Sequence, residues 1–162
     1  MADVHDPATR GRNMAAIRSA GTRPEIMIRR GLHTRGSRFR LHDSKLPGRP
    51  DLVLPRFRVA LFVNGCFWHG HNCPLFRWPG TRTDFWKTKI GGNIARVQRN
   101  EAQLAALGWR IGVIWECALK GPRRLLVEEM LHDLAAAVQG SAATFSFQGS
   151  KSGPDRVTSA KG

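Results

Sequence analysis

Two histidines and three cysteines set the first chemical question. Cys66, His71 and Cys73 fall within eight residues, in Gly65-Cys66-Phe67-Trp68-His69-Gly70-His71-Asn72-Cys73, and Cys117 is the one further cysteine. Thiolate and imidazole are the donors of tetrahedral zinc, and a filled Cys3His set leaves no open position, so such a site is structural. The competing reading is three buried thiols with nothing in common, since cysteine is commonly buried without a role. One site that uses every cysteine favours zinc. An odd count without a secretory leader argues against a disulfide framework.

A second set could hydrolyse a phosphodiester. Asp51 opens the apolar run Leu52-Val53-Leu54 after a Pro-rich turn, Leu46-Pro47-Gly48-Arg49-Pro50. A second run, Val59 to Val63, follows at hairpin spacing. That brings Asp51 near the edge of the second strand at Val63. A hard cation such as Mg2+ takes oxygen from a carboxylate, a main-chain carbonyl, water and substrate phosphate. His69, left over once His71 is given to zinc, could activate a water. Asp51 as a turn cap, and His69 as a substitute zinc ligand or phosphate contact, stay open as alternatives. The acid-x-Lys of many nucleases is absent, because Val59-Ala60-Leu61 occupies the facing strand.

Aromatic residues crowd the same region. Phe67 and Trp68 are adjacent, and Phe85-Trp86 form a second pair. Apolar wedges that enter a base stack are a device of basic DNA-binding proteins. Phe67, Trp68 and Trp86 are read as wedges, and Phe85, Trp109 and Trp115 as core. Charge supports a polyanionic partner: 26 Lys plus Arg against 12 Asp plus Glu give a formal +14, with Arg predominating. Arg favours phosphate forks and base edges. No basic amphipathic helix argues for a membrane surface.

The elements that must position these residues follow from patterning. The 162 residues, 41% hydrophobic, suit one domain with a real core. No apolar run is long enough to span a bilayer, and the N-terminus lacks a signal-peptide pattern, so the expected setting is intracellular. Residues 1–20 form a basic arm, with Met14 and Ile17 on one side of a short helix, that could order on DNA. Thr22-Arg23-Pro24-Glu25 starts a helix, with Thr22 as N-cap and Glu25 able to close a capping box; it ends near Gly36. Arg38 to Leu41 alternates like a strand. Thr83, as N-cap, starts a long helix with the stripe Ile90, Ile94, Val97 and Leu104. Gly91-Gly92 weakens that helix, and a tight contact with DNA backbone or another helix would explain keeping it. Trp109 to Trp115 is a central strand, and Pro122 to Val138 an amphipathic helix. Residues 140–162 read as a disordered tail. The order α-β-β-β-α-β-α fits a small α/β domain, a mixed sheet flanked by helices.

Asn13-Met14, Leu46-Pro47-Gly48-Arg49-Pro50-Asp51, Gly65-Cys66-Phe67-Trp68-His69, Thr81-Arg82-Thr83-Asp84-Phe85-Trp86, Gly108-Trp109-Arg110 and Trp115-Glu116-Cys117-Ala118-Leu119 together resemble the bacterial very-short-patch repair (Vsr) DNA mismatch endonucleases. The resemblance spans about residues 3–137. It implies a restriction-endonuclease-like fold over residues 21–139, a structural zinc, and Mg2+-dependent nicking of double-stranded DNA 5′ of the thymine in a T:G mismatch left by deaminated 5-methylcytosine. By position it implies Asp51 and the Val63 carbonyl on Mg2+, His69 acting on the water or phosphate, and Glu25 ordering metal-bound waters. It puts Cys66, His71, Cys73 and Cys117 on zinc, and Phe67, Trp68 and Trp86 beside the mismatch. Residues 1–17, with Met14, would clasp the duplex. It further implies a monomer in the bacterial cytoplasm, associated with the nucleoid, with other mismatch-repair proteins as conceivable partners. Two positions depart from the pattern: Asn64 stands where a histidine is expected, and Val97 where an aspartate would pair with it. Asn64 keeps the capacity to hydrogen-bond a phosphate or water; Val97 does not. A zinc-stabilised DNA-binding module and a restriction-type nuclease with altered catalysis are the alternative readings.

Overall fold

A computed structural model describes residues 22–150. The first helix, α1, is Arg23–Thr34; the Thr22 hydroxyl accepts the Glu25 N–H at 3.4 Å and Pro24 sits in the first turn. It ends as expected: Gly36, at φ +84°, donates to the His33 carbonyl. Three strands follow, β1 (Arg40–Leu41), β2 (Leu52–Leu54) and β3 (Val59–Asn64). β2 and β3 form the antiparallel hairpin that the spacing predicts, with Leu52 opposite Leu61 and Leu54 opposite Val59. Helix α2 (Thr83–Ala106) then crosses over to β4 (Arg110–Trp115), and α3 (Val127–Gln139) crosses over to β5 (Thr144–Phe147). The sheet order is β1-β2-β3-β4-β5; β4 runs parallel to both β3 and β5.

Alternation along the strands sorts the helices to two faces. Leu52, Leu54, Val59, Leu61 and Ile114 pack with Ile28 and Leu32 of α1 and with Met130, Leu131, Leu134 and Val138 of α3. Ala60 and Ile111, with Phe62 and Val113, pack with Leu104 of α2 on the other face. Among the described residues the domain is a five-stranded mixed sheet between three helices. No described helix is long and apolar enough to cross a membrane.

Several expectations change. Residues 144–147 are a strand, not part of a disordered tail: Phe145 and Phe147 alternate with Thr144 and Ser146 and pack against the main core. The small residues around them hide this short alternation. Helix α3 starts at Val127, not Pro122, because Gly121 adopts φ +88° and Leu126 is extended. Thr83 is the first helical residue rather than the cap. The cap position belongs to Arg82, at φ +54°, while the Thr83 hydroxyl donates to the Pro79 carbonyl at 2.9 Å. Gly91 and Gly92 are exposed, and no described atom comes within 4 Å of where a side chain would begin, so no second helix explains them. The arm of residues 1–20, with Met14, and residues 151–162 lie outside the described residues.

Candidate active site and metal centre

Parallel strands deliver their C-terminal ends to one edge of a sheet. β3 and β4 end in register there, Asn64 beside Trp115. Cys66 lies just beyond β3, and Cys117 in the short 3-10 turn Glu116–Ala118 that follows β4. The Glu116 carboxylate ties the two segments by accepting the Cys66 N–H at 3.3 Å. The loop folds back through His71 N–H to the Cys66 carbonyl (3.0 Å) and Cys73 N–H to the His71 carbonyl (2.8 Å). The donor atoms of Cys66, His71, Cys73 and Cys117 consequently lie within 4.8 Å of one another.

This cluster has the dimensions of a tetrahedral N/S metal site. His71 Nδ1 is 3.6 Å from Cys117 Sγ, and bonds typical of zinc give an S···N edge of about 3.6 Å. The thiols are free, and burial pushes those of Cys66 and Cys117 above their ordinary values. A bound cation would reverse this by stabilising thiolate. Two further groups hold the donors from outside. Gln148 Oε1 lies 3.0 Å from His71 Nε2, which suits a ring that offers Nδ1 to a metal, and the Gly149 N–H donates to Cys117 Sγ at 3.2 Å. A Cβ at Gly149 would come 2.7 Å from the Cys117 carbonyl oxygen and 2.8 Å from that of Arg123, so only glycine brings its N–H this close. The His71 ring stacks on Trp115, centroids 4.0 Å apart. Trp115 therefore serves this centre rather than the core. Gln148 and Gly149 escape sequence reasoning because they lie in the stretch read as tail.

The second donor set joins three elements. Asp51, at the mouth of β2, accepts the Val63 N–H at 2.7 Å, the meeting that the hairpin spacing predicts. From α1, Glu25 arrives only 2% exposed. Its Oε1 lies 2.8 Å from His42 Nε2, and its Oε2 3.7 Å from Arg29 Nη1. Beside the Thr22 cap, its carboxylate thus also reaches the sheet. The donor atoms of Glu25, His42 and Asp51 all lie within 4.8 Å of one another. Burial, opposed by the Val63 N–H, and then the neighbouring Glu25 carboxyl push Asp51 up to about 7; the positive field of His42 opposes the rise. A carboxyl raised in this way, with a second carboxyl beside it, is poised to exchange its proton for a cation. Sequence reasoning missed His42. Its signal was register: Leu41 pairs with Leu52, and the His42 N–H donates to the Asp51 carbonyl at 3.1 Å.

His69 stands on the loop between Cys66 and Cys73, edge-on to Trp115 at 5.7 Å. Burial, then the nearby His71, lower its pKa, which favours the neutral ring. Among the described residues no hydrogen bond joins His69 to Asp51. Asn64 ends β3 and is 8% exposed; Val97 is half-buried on α2. Phe67, Trp68 and Trp86 form one cluster, with centroid separations of 5.2, 5.3 and 5.8 Å. The irregular loop lets neighbouring Phe67 and Trp68 share a face, which a regular strand or helix forbids. Phe85 is 44% exposed with the Arg82 guanidinium over its ring at 4.3 Å, so it belongs to this surface and not to the core. Arg77, Lys87 and Lys89 are exposed nearby in the chain. The ensemble offers a soft-donor centre, a carboxylate centre, and an aromatic surface carried on the loop and helix after β3.

The family described as DNA mismatch endonuclease Vsr matches residues 2–75 of the chain. The chain is 46% identical over 144 residues to the DNA mismatch endonuclease Vsr of Escherichia coli, covering 89% of this chain and 92% of that protein. It is 52% identical over 119 residues to a type II nicking enzyme of Xanthomonas oryzae pv. oryzae, covering 74% and 88%. A type II nicking enzyme of Neisseria meningitidis serogroup A is 36% identical over 139 residues, covering 86% and 98%.

Proposed function

Because the chain belongs to the Vsr family of DNA mismatch endonucleases, we propose that it nicks one strand of duplex DNA, 5′ of the thymine in a T:G mismatch, by Mg2+-dependent phosphodiester hydrolysis. The observation that carries the hydrolytic part is the pairing of the half-buried Asp51 with the buried Glu25, whose donor atoms lie within 4.8 Å of one another, close enough to share one cation. The hairpin β2–β3 feeding a parallel β3–β4 pair supports the restriction-endonuclease-like reading.

Asp51 and Glu25 fit a hard cation by donor type, with the Val63 carbonyl as the main-chain ligand. When bound, Mg2+ would supply charge stabilisation at the phosphate and a more acidic water. The protein does the rest. The Val63 N–H fixes the Asp51 carboxylate. His69, held neutral by burial, accepts a proton from the attacking water at a ring nitrogen. Asn64, at the end of β3, hydrogen-bonds phosphate or water. Phe67, Trp68 and Trp86 enter the stack beside the mismatch, where a T:G pair is cheaper to open than a matched one. The Cys66–His71–Cys73–Cys117 centre binds zinc and holds rigid the loop that carries both wedges and His69. Residues 1–20, with Met14, clasp the duplex, and the +14 charge draws it in. The enzyme acts as a monomer in the bacterial cytoplasm.

An end-labelled duplex with a single T:G pair, incubated with Mg2+, tests this. We expect one nick, in the thymine strand, that requires Mg2+ and is absent from the matched T:A duplex. A double-strand cut of matched DNA would instead make the protein a restriction-type nuclease. Tight binding without any cut would make it a DNA-binding module.

A further inference from the structure

Nothing in the proposed chemistry uses His42, although it lies against its centre. Three observations converge on it. Its Nε2 is 2.8 Å from Glu25 Oε1. Its donor atom lies within 4.8 Å of those of both Glu25 and Asp51. Its backbone adopts φ +47°, one of four left-handed non-glycine positions among the described residues. A left-handed conformation is strained for a non-glycine residue, and such strain gathers at functional sites. The strain is held by the end of the β1–β2 ladder, where the His42 N–H bonds the Asp51 carbonyl at 3.1 Å. From there the imidazole, 20% exposed, meets α1 at Glu25. The charged groups around it are Glu25 and Arg29 of α1, Asp51 before β2, and the Arg40–Asp43 ion pair (3.4 Å) on its own segment. Arg29 reaches Glu25 Oε2 at 3.7 Å.

We propose that His42 is the third side-chain donor of the cation site on Glu25 and Asp51, beside the Val63 carbonyl, and that its imidazole shifts the site's preference from Mg2+ toward Mn2+. This rests on reading Glu25 and Asp51 as the cation site. Mg2+ demands oxygen ligands and near-ideal octahedral geometry, whereas Mn2+, though also partial to oxygen, is a transition ion that accepts an imidazole nitrogen more readily than Mg2+ does. Two carboxylates and one imidazole from three separate elements form a mixed N/O set that an all-oxygen site would not need.

The test is pulsed EPR on the full-length, zinc-replete protein with one equivalent of Mn2+, paired with Mn2+ and Mg2+ affinities by calorimetric competition. We expect a directly bound 14N coupling in the wild type. In His42→Gln, which keeps a hydrogen-bonding group for Glu25, the coupling should vanish and the Mn2+-to-Mg2+ affinity ratio fall by about tenfold or more. Bound Mn2+ without 14N coupling in the wild type overturns the proposal, because His42 then only orients Glu25; this spectrum decides even if the variant does not fold. Coupling that persists in His42→Gln overturns it too, by assigning the nitrogen elsewhere. Asp51→Asn separates the underlying reading: if it leaves both affinities unchanged, the Glu25–Asp51 cation site itself is wrong.

Discussion

Replacing Asp51 by Asn should make the Mg2+-free protein more stable while ending its activity. The sign follows from burial. Folding raises the Asp51 pKa from 3.8 to about 7, chiefly by desolvation and then through Glu25. Between these values the native state keeps a proton that the unfolded chain has released. The contribution of this group is thus fully present below about pH 4, is lost as pH rises through about 7, and is flat beyond. At about 1.4 kcal/mol per unit, three units set a ceiling of about 4 kcal/mol. Solvent reaching the half-buried carboxyl reduces the net cost to about 1–2 kcal/mol. Asn cannot ionise, and its amide oxygen can still accept the Val63 N–H that now holds Asp51 at 2.7 Å. Melting curves at pH 4 and pH 8, with one equivalent of zinc and no Mg2+, should therefore show no difference at the lower pH. At the higher pH the variant should melt about 2–8 °C above wild type. Saturating Mg2+ should reverse the order, since about a hundredfold excess over Kd adds about 2.7 kcal/mol to the wild type alone. A variant less stable than wild type at pH 8, or an offset equal at both pH values, would refute the buried-carboxyl argument.

Two other substitutions probe the soft-donor centre and the aromatic surface. In Gly149→Ala the new methyl would lie 2.7–2.9 Å from three atoms, two of them main-chain oxygens. The crowding should cost about 1–3 kcal/mol and weaken the hydrogen bond to Cys117 Sγ, so zinc should leave to a chelator faster and the melting point fall together. Unchanged metal retention would separate residues 144–150 from the centre. Trp68→Ala should weaken binding to a T:G duplex by about 5- to 150-fold, the worth of one base–aromatic stack, with far less effect on a matched duplex measured by fluorescence anisotropy. An equal loss on both duplexes would assign Trp68 to packing with Phe67 and Trp86.

Local chemistry was readable from the chain itself. Cys66, His71 and Cys73 share one loop, so residue type and spacing point to a soft-metal site without any tertiary information. The same holds for Asp51 and Val63, because a hairpin with a short connection has few possible registers. The structure gathers Phe67 and Trp68 with Trp86, 5.3 Å from Phe67, into one cluster that pairwise adjacency in the chain does not reveal, and it puts Phe85 at the surface rather than in the core. An exposed ring covered by its neighbour Arg82 carries the same sequence pattern as a buried one.

Residue types alone determined the donor sets, the basic charge and the hairpin, because each depends on composition or on contacts within a dozen positions. Tertiary structure decided which residues complete them. Glu25 meets His42 and Asp51 only because α1 packs over the β1–β2 edge. Cys117 meets the loop of Cys66 only because β3 and β4 are parallel neighbours that end together. Gln148 and Gly149 reach that centre only because β5 pairs with β4. Periodicity tells a strand which face is buried; it does not tell it which strand lies alongside. Adjacency is settled by how the helices fill the two faces of the sheet, and the functional groups furthest apart in the chain depend on it.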